Sequence, residues 1–180
     1  MSERIPQRQE IAAENKWSIE DIYAADELWE ADYARAKGFA EKIASYKRQL
    51  SASPEKLLEY LKLDDDLSVL LDSLVNYAQR KNDEDTRAAK YQDMVSRVEM
   101  LYVEIAGASS FVTPELLSVS DDDMERFYKE QSGLEQYRRA LDITRRRRAH
   151  ILSEAEERIM ALTGEMSGSP DNIFSMFNNA

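Results

Sequence analysis

The chain contains no cysteine among its 180 residues. This absence excludes disulfide bonds, thiolate nucleophiles and zinc sites built from cysteine. A chain of this length buries roughly 70% of its unfolded surface on folding, so it needs no covalent cross-links to form one domain. We therefore expect a protein of a reducing compartment and predict a cytoplasmic location.

Long apolar runs are also missing, since no segment approaches the roughly 18 consecutive apolar residues that a membrane-spanning helix needs. The first residues, MSERIPQRQEIAAENK, lack the apolar core of a signal peptide. The formal net charge of −11 repels phosphate backbones. We therefore predict no membrane insertion and no nucleic-acid partner.

Histidine occurs once, as His150. A helical H-E-x-x-H zinc motif needs two histidines one turn apart, so it cannot occur within this chain. A serine triad would have to recruit the same His150 as its base, and the glycines form no phosphate-binding pattern. Neighbouring arginines would repel a metal cation, and we interpret His150 as structural or solvent-exposed. We predict no catalytic, cofactor-binding or metal-ligating residue in the chain.

Glycine and proline are scarce, with five and four copies respectively. They stand at helix boundaries rather than inside periodic segments, which predicts an all-α fold of long antiparallel helices followed by shorter ones, forming a helical bundle or lobe. We divide the chain into an N-terminal arm with a short helical turn (1–25), a helical lobe (26–168) and the start of a truncated helix (169–180).

Three long helices are predicted from apolar residues that recur every three or four positions. The first begins with Asp26 as its N-cap and continues to about Leu50. Ser53 and Pro54 open the second, which we expect to pack antiparallel to the first and to kink or break at the acidic run 64–66. After a polar stretch, 79–87, the third carries the clearest stripe: Tyr91, Met94, Val98, Leu101, Ile105 and Ala108.

Shorter helices follow, and their predicted boundaries rest on capping residues. Thr113 and Pro114 begin a single turn, Ser120 and Asp123 resemble a capping box, a helix spans 134–147, and Ser153 with Glu156 opens a helix that Gly164 closes.

The last segment, 169–180, is predicted to begin a helix at Ser169 and Pro170 and to need burial of its apolar side chains. A helix of about ten residues is marginal in isolation. We therefore expect the chain to be a fragment whose missing partner covers these side chains, and we expect the same apolar stub to permit self-association. The apolar side chains are Ile173, Phe174, Met176 and Phe177.

A basic cluster includes Arg138, Arg139 and the run 145–148. Four consecutive helical residues advance about 100° each and cannot share one face. The i,i+4 pairs of Glu135 with Arg139 and Asp142 with Arg146 favour a structural role. A functional contact of the cluster with an anion or a partner stays open as the alternative.

Four stretches of the sequence together carry a resemblance to a known family. They are KWSIEDIY (16–23), YAQRKNDEDT (77–86), SFVTPEL (110–116) and RAHILSEAEE (148–157). In this order and spacing, the chain resembles the N-terminal helical portion of oligoendopeptidase F, within the thimet-oligopeptidase-like zinc metallopeptidases. It departs from the family pattern at Ala149, where relatives often carry proline before the histidine.

The resemblance implies a helical lobe that helps to wall a channel for oligopeptides in a zinc metalloendopeptidase. The expected partners are the missing catalytic domain and oligopeptide substrates. The resemblance places zinc in the full-length parent and none in this fragment, because no zinc ligand of the family maps onto this chain. We therefore expect the isolated chain to hydrolyse nothing.

An alternative interpretation of the same helices is a non-enzymatic protein-interaction module. In that case the apolar stripe from Tyr91 to Ala108, or Phe174 and Phe177 in the last segment, would bind a partner helix.

Overall fold

A computed structural model describes residues 10–148 and 154–178 of the chain. Within these ranges every regular element is helical, which confirms the all-α prediction. The α-helices are α1 (Asp26–Lys37), α2 (Phe39–Ser45), α3 (Pro54–Glu84), α4 (Ala89–Ser109), α5 (Val112–Ser118), α6 (Asp121–Glu130), α7 (Arg138–Arg146), α8 (Glu154–Leu162) and α9 (Gly164–Asn178). Short 3-10 helices span Ala13–Asn15, Ile19–Asp21 and Ser132–Tyr137. The helix at Ile19–Asp21 packs against α3, and the helix at Ser132–Tyr137 packs against α6 and α7.

The first predicted long helix is two helices, and this part of the prediction is wrong. Gly38 separates α1 from α2, and its N–H bonds to the Arg35 carbonyl three residues back. Glycine is a poor helix former, so a tight turn replaces the regular helix there. The chain then leaves the helix after Ser45 and turns through residues 46–52.

The role predicted for Asp26 is also wrong, because Ala25 is the N-cap residue and Asp26 is the first residue of α1. Its carboxylate points instead to α3 and α4, where it accepts a hydrogen bond from Tyr77 at 2.6 Å and pairs with Lys90 at 2.5 Å. Tertiary partners thus take the oxygen atoms that a cap would offer to the backbone.

The longest helix, α3, begins as predicted: the Ser53 side chain accepts a bond from the Lys56 amide, and Pro54 is the first helical residue. The expected break at 64–66 does not occur, and α3 continues through the polar stretch to Glu84. Buried leucines at positions 67, 70, 71 and 74 keep one apolar face unbroken. Burial of that face outweighs the low helix propensity of aspartate.

Helices α1, α3 and α4 form the centre of the fold. Asp26 lies beside Tyr77 and Trp29 beside Leu74, so α1 and α3 are antiparallel, as predicted. The predicted stripe of α4 faces the same core. Met94, Val98, Leu101 and Ile105 are buried, and the two other members of the stripe, Tyr91 and Ala108, are partly buried against the core.

Among the shorter helices, Ser120 caps α6 as predicted by accepting a bond from the Asp123 amide at 3.0 Å. The segment 112–118 starts one residue before Thr113, with Phe111 as its N-cap, and the first turns of segment 134–147 are 3-10 rather than α. Ser153 lies outside the described residues. Nearer the N-terminus, the predicted short turn is the 3-10 helix at Ile19–Asp21.

The final helix differs from its prediction. It begins at Gly164 instead of Ser169, so Gly164 opens α9 rather than simply closing α8, and Pro170 lies inside the helix. Proline lacks the N–H that an interior helical residue donates, so its presence favours a helix start in the sequence. The boundary predicted at residue 169 lies inside α9. The division of the chain at that residue stays a prediction.

Candidate functional site

The most exposed apolar surface belongs to the last two helices. On α9 the exposed fraction is 63% for Phe174 and 83% for Phe177, values typical of charged surface residues rather than phenylalanine. The full set of exposed apolar side chains on these two helices is Ile159, Met160, Leu162, Ile173, Phe174, Met176 and Phe177. We call this set the hairpin face.

Helices α8 and α9 contact the outer side of α4. A cavity of about 630 Å³ lies between α4 and these two helices. Met100 and Tyr102 of α4 line this cavity and are themselves partly exposed to solvent. On the opposite wall, Gly164 and Gly168 of α9 have open space where a side chain would project. The contact with α4 therefore leaves much of the hairpin unburied.

The hairpin face matches the expectation that the apolar residues of 169–180 require burial that the chain does not supply. Exposed apolar side chains concentrated on two successive helices favour a protein-interaction site. Two phenylalanines within one turn of each other would provide the rigid, large contact area on which such interfaces depend. The hairpin face is thus the candidate functional surface.

The chemistry of a metal site has no support in the described part of the chain. There, no group of three or more His, Cys, Asp or Glu residues is arranged to hold a metal ion. His150 lies outside the described residues, so its interpretation as structural or solvent-exposed stays a prediction.

Among residues 10–148 and 154–178, none of the helices combines the length and hydropathy that crossing a bilayer requires.

Two members of the basic cluster have structural roles. The Arg145 side chain, 9% exposed, donates to the carbonyl oxygens of Leu116 and Val119 and pairs with Asp121. Arg148 also donates to the Val119 carbonyl, at 3.3 Å. These bonds satisfy carbonyl groups at the end of α5 that have no helical partner. The Arg145 side chain lowers the pKa of the Asp121 carboxyl through its hydrogen bond and its charge.

The two ion pairs predicted for this cluster are absent from the described residues. Glu135 pairs with Arg138 at 2.9 Å rather than with Arg139. Arg138 also pairs with Glu125 and lies over the ring of Tyr128, 3.9 Å from its centroid. The 3-10 geometry before α7 explains the change, because i and i+3 side chains eclipse in a 3-10 helix.

A polar network joins three helices at Asp26. Burial alone would raise the pKa of this carboxyl, but the hydrogen bonds from Lys90 and Tyr77 outweigh burial and lower the pKa. Tyr91 adds a longer contact at 3.5 Å. The network positions the start of α1 against α3 and α4, and hydrophobic periodicity carries no signal of it.

A second arrangement missed by sequence reasoning fixes the turn at residues 46–52. The Glu115 carboxylate accepts bonds from the amides of Arg48 and Leu50, both at 2.8 Å, and of Ser51 at 3.3 Å. Arg48 has φ +67°, a left-handed conformation that costs a non-glycine residue about 1 kcal/mol. Glu115 thereby holds α2 and α5 together across 64 to 67 residues of sequence.

Comparison with known proteins shows similarity along nearly the whole chain. The family model described as oligopeptidase F matches residues 115–180. Oligopeptidase PepF of Bacillus subtilis is 34% identical over 177 residues, which are 98% of this chain and 26% of that protein. Group B oligopeptidase PepB of Streptococcus agalactiae is 31% identical over 96% of this chain and 29% of its own length.

A solved structure shows the same similarity in three dimensions. The crystal structure of oligoendopeptidase-F from Enterococcus faecium superposes with a TM-score of 0.78 and 28% identity, over 87% of this chain and 31% of that chain. Fold and sequence together match the chain to the all-α N-terminal part of these relatives. The chain is similar to the N-terminal part of proteins of the oligoendopeptidase F family, which confirms the resemblance carried by the four stretches. The chain spans little more than a quarter of the length of these relatives.

Proposed function

We propose that the chain is the N-terminal helical lobe of a cytoplasmic zinc oligoendopeptidase, in which it packs against the catalytic region and helps to wall the channel that admits oligopeptides. The hairpin face is the observation that supports this proposal. Relatives named as oligopeptidases are more than three times as long as the chain, so the parent has ample further structure to cover that face. Apolar burial stabilises such a contact by about 25 cal/mol per Å² of buried surface.

In this account the lobe contributes shape and selectivity, and the zinc chemistry lies in the remainder of the parent. The described residues offer no ligand set for zinc, and we derive no step of the reaction from them. When bound in the parent, zinc would polarise the water that attacks a peptide carbonyl. The lobe would restrict which peptides reach that water.

Single-cysteine labelling tests whether the hairpin face is covered in a full-length protein. The chain lacks cysteine, so Phe177→Cys introduces one defined thiol. We propose comparing the isolated variant with a chimaera in which it replaces the matching N-terminal segment of the Bacillus subtilis oligopeptidase. Mass spectrometry of the peptide around residue 177 would report the extent of modification by a thiol reagent over time.

We expect modification to be at least about tenfold slower in the chimaera, because a covered thiol reacts only after local opening. Leu28→Cys is the matched control, since Leu28 is an exposed apolar residue on α1, far in sequence from the hairpin. Equal modification rates for residue 177 in the isolated chain and in a folded chimaera would contradict the proposal.

In the isolated chain, the same uncovered face is expected to drive self-association that depends on concentration. At high ionic strength, where contacts between exposed charges are screened, the double substitution Phe174→Ser and Phe177→Ser should therefore shift the sedimentation profile toward monomer, and Leu28→Ser should not.

A further inference from the structure

The outer surface of α7 carries a stripe of two arginines around one isoleucine. Arg139 and Arg146 are exposed, and Ile143 between them is 51% exposed. In the described ranges no ion pair involves either arginine. The three residues border a surface depression of about 440 Å³, together with Glu135, Arg138 and Asp142. Glu135 is already neutralised by Arg138, so the stripe keeps an excess of positive charge.

The outer surface of α3 carries a stripe of the opposite charge. Asp65 and Asp72 are exposed and lie on either side of Val69, which is 69% exposed. Val69 is the most exposed apolar residue of α3, whose other large apolar side chains face the core or lie at its edge. Neither aspartate takes part in an ion pair within residues 10–148 and 154–178.

The two stripes have the same spacing. Each stripe has a charged residue at position i, an aliphatic residue at i+4 and a second charged residue at i+7 of an α-helix. These three positions lie within about 60° of one another around the helix axis. The outer charges are about 10 Å apart along each helix, given a rise of 1.5 Å per residue. When the helices lie side by side and parallel, Arg139 faces Asp65, Ile143 faces Val69, and Arg146 faces Asp72.

The stripes are also neighbours in one molecule. Tyr137 donates a hydrogen bond to the Asp65 carboxylate at 2.5 Å, and Arg139 follows Tyr137 by two residues. A surface that presents a basic and an acidic patch side by side is complementary to a copy of itself turned by 180°. Each molecule of such a pair then supplies one patch to each of two identical contacts.

We propose that the occupant of this surface is a second copy of the chain, joined as a two-fold dimer in which the α7 stripe of each protomer packs on the α3 stripe of the other. The small area of such a contact places the dimer among weak and transient complexes, and exposed ion pairs make its affinity sensitive to salt. This inference does not depend on the peptidase function.

Charge exchange provides a direct test. The experiment uses the full chain with Phe174→Ser and Phe177→Ser, so that the hairpin face does not contribute, and measures mass by sedimentation at low ionic strength. Arg146→Asp and Asp72→Arg each place two like charges at both copies of the contact. We expect each variant alone to dimerise at least about tenfold more weakly than the background protein, because opposed like charges repel at close range.

Mixing the two variants in equal amounts should restore the dimer, since each contact then again joins one arginine to one aspartate. Lys129→Asp is the control: Lys129 is exposed on α6, and its substitution changes the net charge by the same amount as Arg146→Asp. Neither Arg146 nor Asp72 has an ion-pair partner in the described part of the chain, so the folded state should survive, which circular dichroism would verify.

A background protein that stays monomeric at every concentration would overturn the proposal. So would a mixture of folded variants that dimerises no better than each variant alone. Loss of the dimer in Lys129→Asp would mean that overall charge, not the paired stripes, controls association.

Discussion

Replacement of Trp29 by alanine is expected to lower the free energy of unfolding by about 3–5 kcal/mol, the range found for removal of a large aromatic side chain from a core. Trp29 is fully buried and lies at the centre of the contact between α1 and α3. Its indole N–H donates to the Leu74 carbonyl at 2.9 Å. Urea denaturation followed by far-UV circular dichroism would measure the loss.

The neighbours of Trp29 increase the expected cost. Its ring stacks on Tyr33 with centroids 5.2 Å apart, and the Arg97 guanidinium lies 5.0 Å from the Trp29 centroid. Arg97 is held there by two bonds to Glu30, of 2.6 and 2.7 Å. Removing the indole therefore leaves Arg97 without one of its aromatic faces, a contact that contributes up to about 2 kcal/mol when shielded from water.

The chain offers a matched control, because its only other tryptophan, Trp17, is 83% exposed. Trp17→Ala should change the free energy of unfolding by less than about 1 kcal/mol. If both substitutions reduced stability equally, the packing described for α1, α3 and α4 would be incorrect.

Replacement of Glu115 by alanine is the second large effect, with an expected loss of about 2–3 kcal/mol, because three backbone N–H groups lose a charged acceptor. The Leu50 amide is the most affected, since the Leu50 side chain is fully buried and water has little access. Hydrogen exchange would show faster exchange at residues 48, 50 and 51, alongside the loss of stability in urea.

Glu115→Gln should cause a smaller loss, since the amide keeps one acceptor oxygen while its NH₂ group faces a backbone donor. Glu104→Ala removes a similar carboxylate from an exposed position on α4 and serves as the control. A Glu104→Ala variant as unstable as Glu115→Ala would show that net charge, rather than the turn at 46–52, determines the effect.

Hydrophobic periodicity and capping residues predicted the helices whose boundaries and faces depend on residues close together in sequence. The stripe of α4 was predicted because Met94, Val98, Leu101 and Ile105 repeat at helical spacing, and the start of α3 because Ser53 and Pro54 act within one turn. These signals require only neighbours in sequence. They also predicted the need for burial that the hairpin face displays.

Errors arose wherever distant residues decide the conformation. The carboxylate of Asp26 binds tyrosine and lysine side chains at least 51 residues away, and it is therefore not a cap. The aspartates at 64–66 do not break α3, because leucines on the other face are held by the core. Glu115 bonds to a turn 64 residues away, and no local pattern indicates such a contact.

The basic cluster shows a mixed outcome. The sequence correctly indicated that four consecutive arginines cannot share one face, and Arg145 and Arg146 indeed point to different surroundings. The partner predicted for Glu135 was wrong because Glu135 lies in a 3-10 helix, in which the i+3 neighbour replaces the i+4 neighbour. The pair predicted for Asp142 and Arg146 lies within α7, and the 3-10 geometry does not explain its absence.

The central claim, that this chain is the N-terminal lobe of an oligopeptide-cleaving zinc enzyme, is tested most directly by the activity of the chimaera with the remainder of the Bacillus subtilis oligopeptidase. Hydrolysis of a quenched fluorescent oligopeptide would be measured with and without a zinc chelator, beside the isolated chain. We expect the chimaera to cleave the peptide, the chelator to abolish cleavage, and the isolated chain to be inert. A folded but inactive chimaera, or cleavage by the isolated chain, would contradict the account.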